Sequence, residues 1–166
     1  MGNLDVPINN AGMGETAPSL SIDLLRKTFE INVFSVAAMT ESFLLLLRKS
    51  SEPRIIHVSS GVGSLTLRAQ SLENGTFFPN YYAYNISKAA LNMLSFCHME
   101  SLKGIKVIAF SPSFVATNLG GDIEAMKRQG SGNPAETGRS IRSVVEGKRD
   151  ADSTKLIKDE GGYYPW

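Results

Sequence analysis

The chain has 166 residues, 42% of them hydrophobic and 20% charged, and a formal net charge of +1 at pH 7. That length suits one domain, residues 1–166, with a single sizeable core. The near-neutral balance offers no field for nucleic acid or an anionic membrane to read, and one cysteine, Cys97, cannot form an internal disulfide. With nothing arguing for an oxidising compartment, the expected setting is the cytoplasm.

At the amino terminus Asp5 and Pro7 interrupt any signal-peptide core. Residues 4–8 read as a short strand entering the loop Asn9-Asn10-Ala11-Gly12, with Pro7 fitting only an edge position because it lacks a ladder donor. Ser21 caps a helix expected from residue 22 to about 48, with a bend, since Leu24, Leu25, Thr28, Phe29, Asn32 and Val33 recur at helical spacing. Residues 31–47 are the most lipid-like window. Asn32, Thr40, Glu41 and Ser42 interrupt it, so it reads as a buried helix and not a membrane span.

Residues 55–59, a β-branched run bounded by Ser60-Gly61, predict a buried strand. Residues 63–80 are polar and predict an irregular loop, with Asn74-Gly75 as a turn. A helix is expected over residues 81–103, with Ala83, Ile86, Ala90, Leu94 and Cys97 along one side and Gly104 closing it. Residues 106–110 predict another buried strand, stopped by Ser111-Pro112, and the Gly-rich residues 118–132 a mobile lid. Asn133-Pro134-Ala135-Glu136 is a helix start, carrying that helix to about Gly147; residues 154–157 predict a last strand.

Strands alternating with long helices imply an α/β fold of parallel βαβ units, whose ligands bind beyond the carboxyl ends of the strands. Asn9 to Gly12, Ser59-Ser60 and Ser111-Pro112 fall at those ends and suggest one crevice. Tyr84 and Lys88 are four residues apart, so a helix presents both on one face. A phenol beside an ammonium can do acid–base chemistry, because the cation favours the phenolate. His57 and His98 have no partners at metal-ligand spacing and read as structural or surface residues, so no metal is expected.

Together these motifs resemble the short-chain dehydrogenase/reductase family. Asn9-Asn10-Ala11-Gly12 is similar to the motif after that family's fourth strand, Asn32 to its mid-helix asparagine, and Ser60 to the serine after its fifth strand. Tyr84 and Lys88 match the Tyr-x-x-x-Lys pair, and Pro112, Val115 and Thr117 the segment after the sixth strand. The resemblance implies a Rossmann-like three-layer fold with a parallel sheet and an NAD(P)-dependent oxidoreductase moving a hydride between nicotinamide and a carbonyl or secondary alcohol. It assigns Ser60, Tyr84, Lys88 and Asn32 to catalysis, with Asn32 holding a water that passes protons to Lys88. Asn10, Tyr84, Lys88, Val115 and Thr117 fall to the cofactor. NADP is favoured over NAD, and a role in secondary metabolite biosynthesis is expected, because the Pro165-Trp166 ending resembles that of carbonyl-reductase-like members. Association into a homo-oligomer is also implied.

Some residues keep two readings. Ser59 competes with Ser60, which the motif alignment favours; Asn10 either touches cofactor or holds neighbouring loops; Thr117 could be a cap. The family's glycine-rich turn and its first three strands are not found, so the fold is expected to be truncated at the amino terminus, beginning at the fourth strand. Ser113 stands where a glycine is usual, and residues 68–80 lengthen the Ser60–Tyr84 separation. The alternative is an inactive family fragment serving as an interaction module. A sugar-nucleotide epimerase shares the Tyr/Lys pair, but Asn-Asn-Ala-Gly argues against it.

Overall fold

The apolar runs form a five-stranded sheet in the computed structural model, which describes residues 2–75, 80–120 and 122–166. β1 (Ile8–Asn9), β2 (Arg54–Val58), β3 (Lys106–Ser111) and β4 (Leu156–Lys158) are parallel neighbours in that order, and β5 (Tyr163–Tyr164) adds antiparallel to β4. Adjacent residues of β2 point to opposite faces and feed two cores. Ile55 and Val107 pack with Leu47, Phe43 and Met99 on one face; Ile56, Ile108, Phe110 and Ile157 pack with Val144 and Ile141 on the other. Helices α2 (Ser35–Leu47) and α4 (Tyr82–Ser101) cover the first face and α6 (Pro134–Val145) the second. The result is the expected three-layer α/β architecture.

Several expectations change in detail. The first strand is shorter than residues 4–8, because Pro7 has no N–H for the ladder; its carbonyl still accepts the Ile56 amide at 3.1 Å. The bend expected within residues 22–48 is a π-helical turn, Glu30–Phe34, between α1 (Ile22–Phe29) and α2. By length and composition Ile22–Leu47 could cross a membrane. Here Thr28, Asn32, Val36, Thr40 and Leu47 are buried against the rest of the domain.

Residues 63–80 are not an irregular loop. Ser64 caps a ten-residue helix, α3 (Leu65–Asn74), by accepting the Leu67 amide, and Gly75 ends it at φ 65°. Its low amphipathicity hid it. Of that stretch, residues 76–79 lie outside the described residues, as does residue 121 of the expected lid. Around residue 121, Asp122 caps a short helix, α5 (Ile123–Arg128).

The buried face of α4 is the largest departure. Ile86 and Cys97, placed on the core side by hydrophobic spacing, are exposed, and the core side carries Ala83, Ser87, Lys88, Leu91, Asn92 and Ser95. Ser87 and Ser95 bond back to the carbonyls of Tyr84 and Leu91, both at 2.8 Å. Small self-satisfied hydroxyls let the helix lie close to its neighbours, so polarity does not report exposure there.

His57 and His98 are partners of each other. His57 Nε2 lies 3.0 Å from His98 Nδ1, and the Asn9 amide nitrogen lies 3.0 Å from His57 Nδ1. The amide can only donate, so His57 carries its proton on Nε2 and donates to His98. Burial, and secondarily the neighbouring His98, push His57 down to about 3; burial also lowers His98. Below about pH 6.5 the unfolded chain binds protons that the folded one refuses. The His57 contribution to stability is therefore fully present above about pH 6.5 and falls by up to about 1.4 kcal/mol per pH unit as pH drops toward 3, with His98 acting in the same direction. Urea unfolding at pH 7 and pH 5 checks this, and His57→Gln should flatten the slope; equal slopes would contradict it.

Candidate active site

The carboxyl ends of β1, β2 and β3 open onto one groove of about 1120 Å³. Asn10, Ser60, Tyr84, Lys88, Val115 and Thr117 all line it. Thus the three loops expected to share a crevice do share one. Helix α4 carries Tyr84 and Lys88 on its inner side, as the four-residue spacing requires.

The side chain of Ser60 lies beside the phenol of Tyr84, close enough to favour its phenolate form. Burial pushes Tyr84 up to about 12, and the neighbouring Ser60 opposes that rise. A phenol held this way is protonated at neutral pH and is a proton donor. Its ring meets Tyr81 edge-on, 6.2 Å between centroids. Lys88 Nζ donates to the Val58 carbonyl at 2.8 Å and lies 5.6 Å from the Tyr84 ring centre. Burial lowers Lys88 to about 8, which leaves it mostly an ammonium at pH 7.

Ser59 and Ser60 part company at the end of β2. Ser59 is buried, and its hydroxyl donates to Asn92 Oδ1 at 2.5 Å on α4. Ser60 Oγ accepts the Val62 amide at 3.3 Å and caps the tight turn Gly61–Gly63 that faces the groove. Consecutive residues of an extended chain point to opposite sides, and only the second of this pair meets Tyr84.

Asn32 lies beneath the groove, fully buried in the π-helical turn. Its Oδ1 accepts the Met13 amide at 2.8 Å, and its Nδ2 donates to the Met13 carbonyl and Ser87 Oγ, both at 2.9 Å. It therefore clamps the loop after β1 to α4. Gly12 sits against that clamp: a Cβ there would lie 3.4 Å from Asn32 Oδ1 and 3.8 Å from Lys88 Nζ. Beyond β3, Val115 bridges to Gly132, whose amide donates to the Phe114 carbonyl at 2.7 Å. Thr117 is exposed on the rim. Ser113, the departure from the family's glycine, donates to Asp159 and, at 2.9 Å, to Glu160.

Tyr81, Phe114 and Tyr164 also line the groove, although sequence reasoning gave them no role. The aromatic pair in Gly161-Gly162-Tyr163-Tyr164 was the available signal. Two features suit a polar ligand of nicotinamide type. Asn85 Oδ1, beside the groove, is buried without a partner, and the Lys88 ammonium has further N–H groups beyond the one spent on Val58.

A family model for short chain dehydrogenase matches residues 1–128. The chain belongs to the short-chain dehydrogenase family. It is 34% identical to the short-chain dehydrogenase/reductase tropE of Talaromyces stipitatus, over 100% of this chain and 68% of that one. It is 31% identical to C-signal of Myxococcus xanthus, over 99% of this chain and 94% of the relative. Among solved structures, NADPH-bound carbonyl reductase from chicken fatty liver matches with a TM-score of 0.84 at 26% identity, covering 99% of this chain and 67% of that one. The chain thus spans about two thirds of the length of the first of these relatives and of the solved reductase.

Proposed function

We propose that this chain carries the catalytic part of an NAD(P)-dependent oxidoreductase acting on a carbonyl or secondary alcohol. The observation that carries the reading is the convergence of Ser60, Tyr84 and Lys88 on one groove, with the Lys88 ammonium 5.6 Å from the Tyr84 ring centre on the same helix face. Nicotinamide, when bound, supplies or accepts the hydride. In the reductive direction Tyr84 gives its proton to the substrate oxygen, and Ser60 donates a hydrogen bond to the same oxygen as charge develops. The Lys88 charge stabilises the phenolate left on Tyr84. Asn32 serves Lys88 by fixing Gly12 and Met13 beside it, and the water-borne proton relay belongs to the same proposal. Lys88, Asn10, Val115 and Thr117 are the groups that would hold the nicotinamide half of the cofactor.

Likeness to an NADPH-bound reductase supports NADP over NAD. Titration with NADPH and NADH, followed by fluorescence, tests the reading. Saturable binding is expected, tighter for NADPH, and no saturable binding of either would sink it. The pH profile has a stated sign. Lys88, at about 8, loses its charge as pH rises through that value. Carbonyl reduction should therefore show an alkaline limb near pH 8, absent from Lys88→Arg, whose guanidinium stays charged.

A second reading, an interaction module without redox chemistry, has one observation in its favour. Myxococcus xanthus C-signal aligns over 94% of its own length, so a relative of nearly this size exists. A chain that binds neither nucleotide yet folds cooperatively would support it.

A further inference from the structure

The serine at the reacting end of the groove sits on a turn held from several sides. The Gly61 amide donates to Ser111 Oγ at 3.0 Å, tying the turn to β3. Gly63 lies directly on the backbone of Lys88 and Ala89. The remaining side is closed by the ring of Tyr164, which sits so near Gly61 that a Cβ there would be 3.1 Å from its Cε2 and Cζ atoms. Lys158 Nζ lies 4.3 Å from the same ring's centre, and Leu156 pairs with Tyr164 across the sheet. The ring is thus seated between the sheet and the turn.

Two residues further on, Trp166 fastens this segment to three separate parts of the fold. Its ring packs on Phe96 of α4 with centroids 4.4 Å apart. Its indole N–H donates to the Thr154 carbonyl at 3.2 Å. Its main-chain oxygen accepts from the Thr66 amide at 3.2 Å and the Thr66 hydroxyl at 2.7 Å, at the first turn of α3. Ser64, immediately before, caps that helix and is buried. The segment 60–66 is consequently pinned at Gly61 by Tyr164 and at Thr66 by Trp166.

We propose that Tyr164 is a positioning residue for Ser60, acting through Gly61, and that Trp166 is the latch that keeps it in place. The inference rests on the oxidoreductase reading for its kinetic consequence, but its structural content stands apart from turnover. An extended segment of two paired residues has little stability of its own, so the aromatic contacts decide whether the turn stays docked. Ser60 must meet both the Tyr84 hydroxyl and a substrate oxygen, and a misplacement of about 1 Å can cost about 10²-fold in rate.

The test uses Tyr164→Phe, Tyr164→Ala and Trp166→Ala in the full chain. Amide hydrogen exchange at Gly61 and Val62 should quicken by about ten-fold or more in Tyr164→Ala, while amides of β2 and β3 keep wild-type protection. Tyr164→Phe keeps the ring and should match wild type. Trp166→Ala should show the same change at Gly61, together with faster exchange at Thr66. In turnover, Tyr164→Ala should lower kcat by about ten-fold or more with the NADPH KM within about two-fold of wild type, and Tyr164→Phe should restore it.

Unchanged exchange at Gly61 in both alanine variants would overturn the proposal. So would a kcat loss in Tyr164→Phe as large as in Tyr164→Ala, since the hydroxyl would then be the acting group. Should Tyr164→Ala fail to fold, Tyr164→Leu and Trp166→Ala carry the same exchange measurement. Failure of wild type to bind NADPH or NADH defeats the oxidoreductase reading instead, and the exchange result still decides the positioning role.

Discussion

Tyr84→Phe should abolish nearly all turnover, by about 10² to 10⁴-fold in kcat, while leaving the fold and nucleotide binding in place. The substitution removes one oxygen. The ring keeps its edge-on contact with Tyr81, and α4 keeps its buried face. What disappears is the proton donor held against Ser60. NADPH oxidation against a panel of small aldehydes and ketones, beside an NADPH titration of the same protein, reads both halves. A variant that keeps more than a tenth of wild-type turnover would remove Tyr84 from the chemistry and leave the groove a binding site only.

Gly63→Ala should be the most destabilising single methyl in the chain's site region. A Cβ at Gly63 would sit 2.5 Å from the Lys88 carbonyl carbon, 2.7 Å from the Ala89 nitrogen and 2.8 Å from the Lys88 oxygen. All three atoms are backbone, so no side chain can swing away, and α4 must part from the turn after β2. The expected cost is about 3 kcal/mol, or roughly 10 °C in Tm. Lys88 moves with that displacement, so catalysis should fall further than stability alone requires. Gly138→Ala is the control: nothing lies within 4 Å of its Cβ position. Within α6 it should be neutral or stabilise by about 0.5–1 kcal/mol. Melting curves of the two variants give the comparison, and equal Tm values would show that the close approach at Gly63 is not tight in solution.

Much of the fold was readable because its signals are local. The β-branched runs at Ile55-Ile56 and Val107-Ile108 form the central strands, and the Asn133-Pro134 start opens α6. Tyr84 and Lys88 share a face because helical geometry alone puts i and i+4 together. The helix α3 escaped notice because its sequence has no apolar stripe; a serine cap and a left-handed glycine define it instead. The inner face of α4 was misassigned for a related reason. Serines that satisfy themselves on their own helix can be buried at little cost, and no hydrophobic period records that.

The residues of the chain, taken alone, determined which side chains could do chemistry and the order in which strands and helices deliver them. Only the folded arrangement separated Ser60 from Ser59, bound Asn32 to Met13 and Ser87, paired His57 with His98, and brought Tyr164 against Gly61. The physical reason is range. Helix caps, turns and face periodicity depend on atoms a few residues apart, whereas these five contacts join residues from 19 to 103 positions distant, and only closure of the sheet and its helices sets those separations.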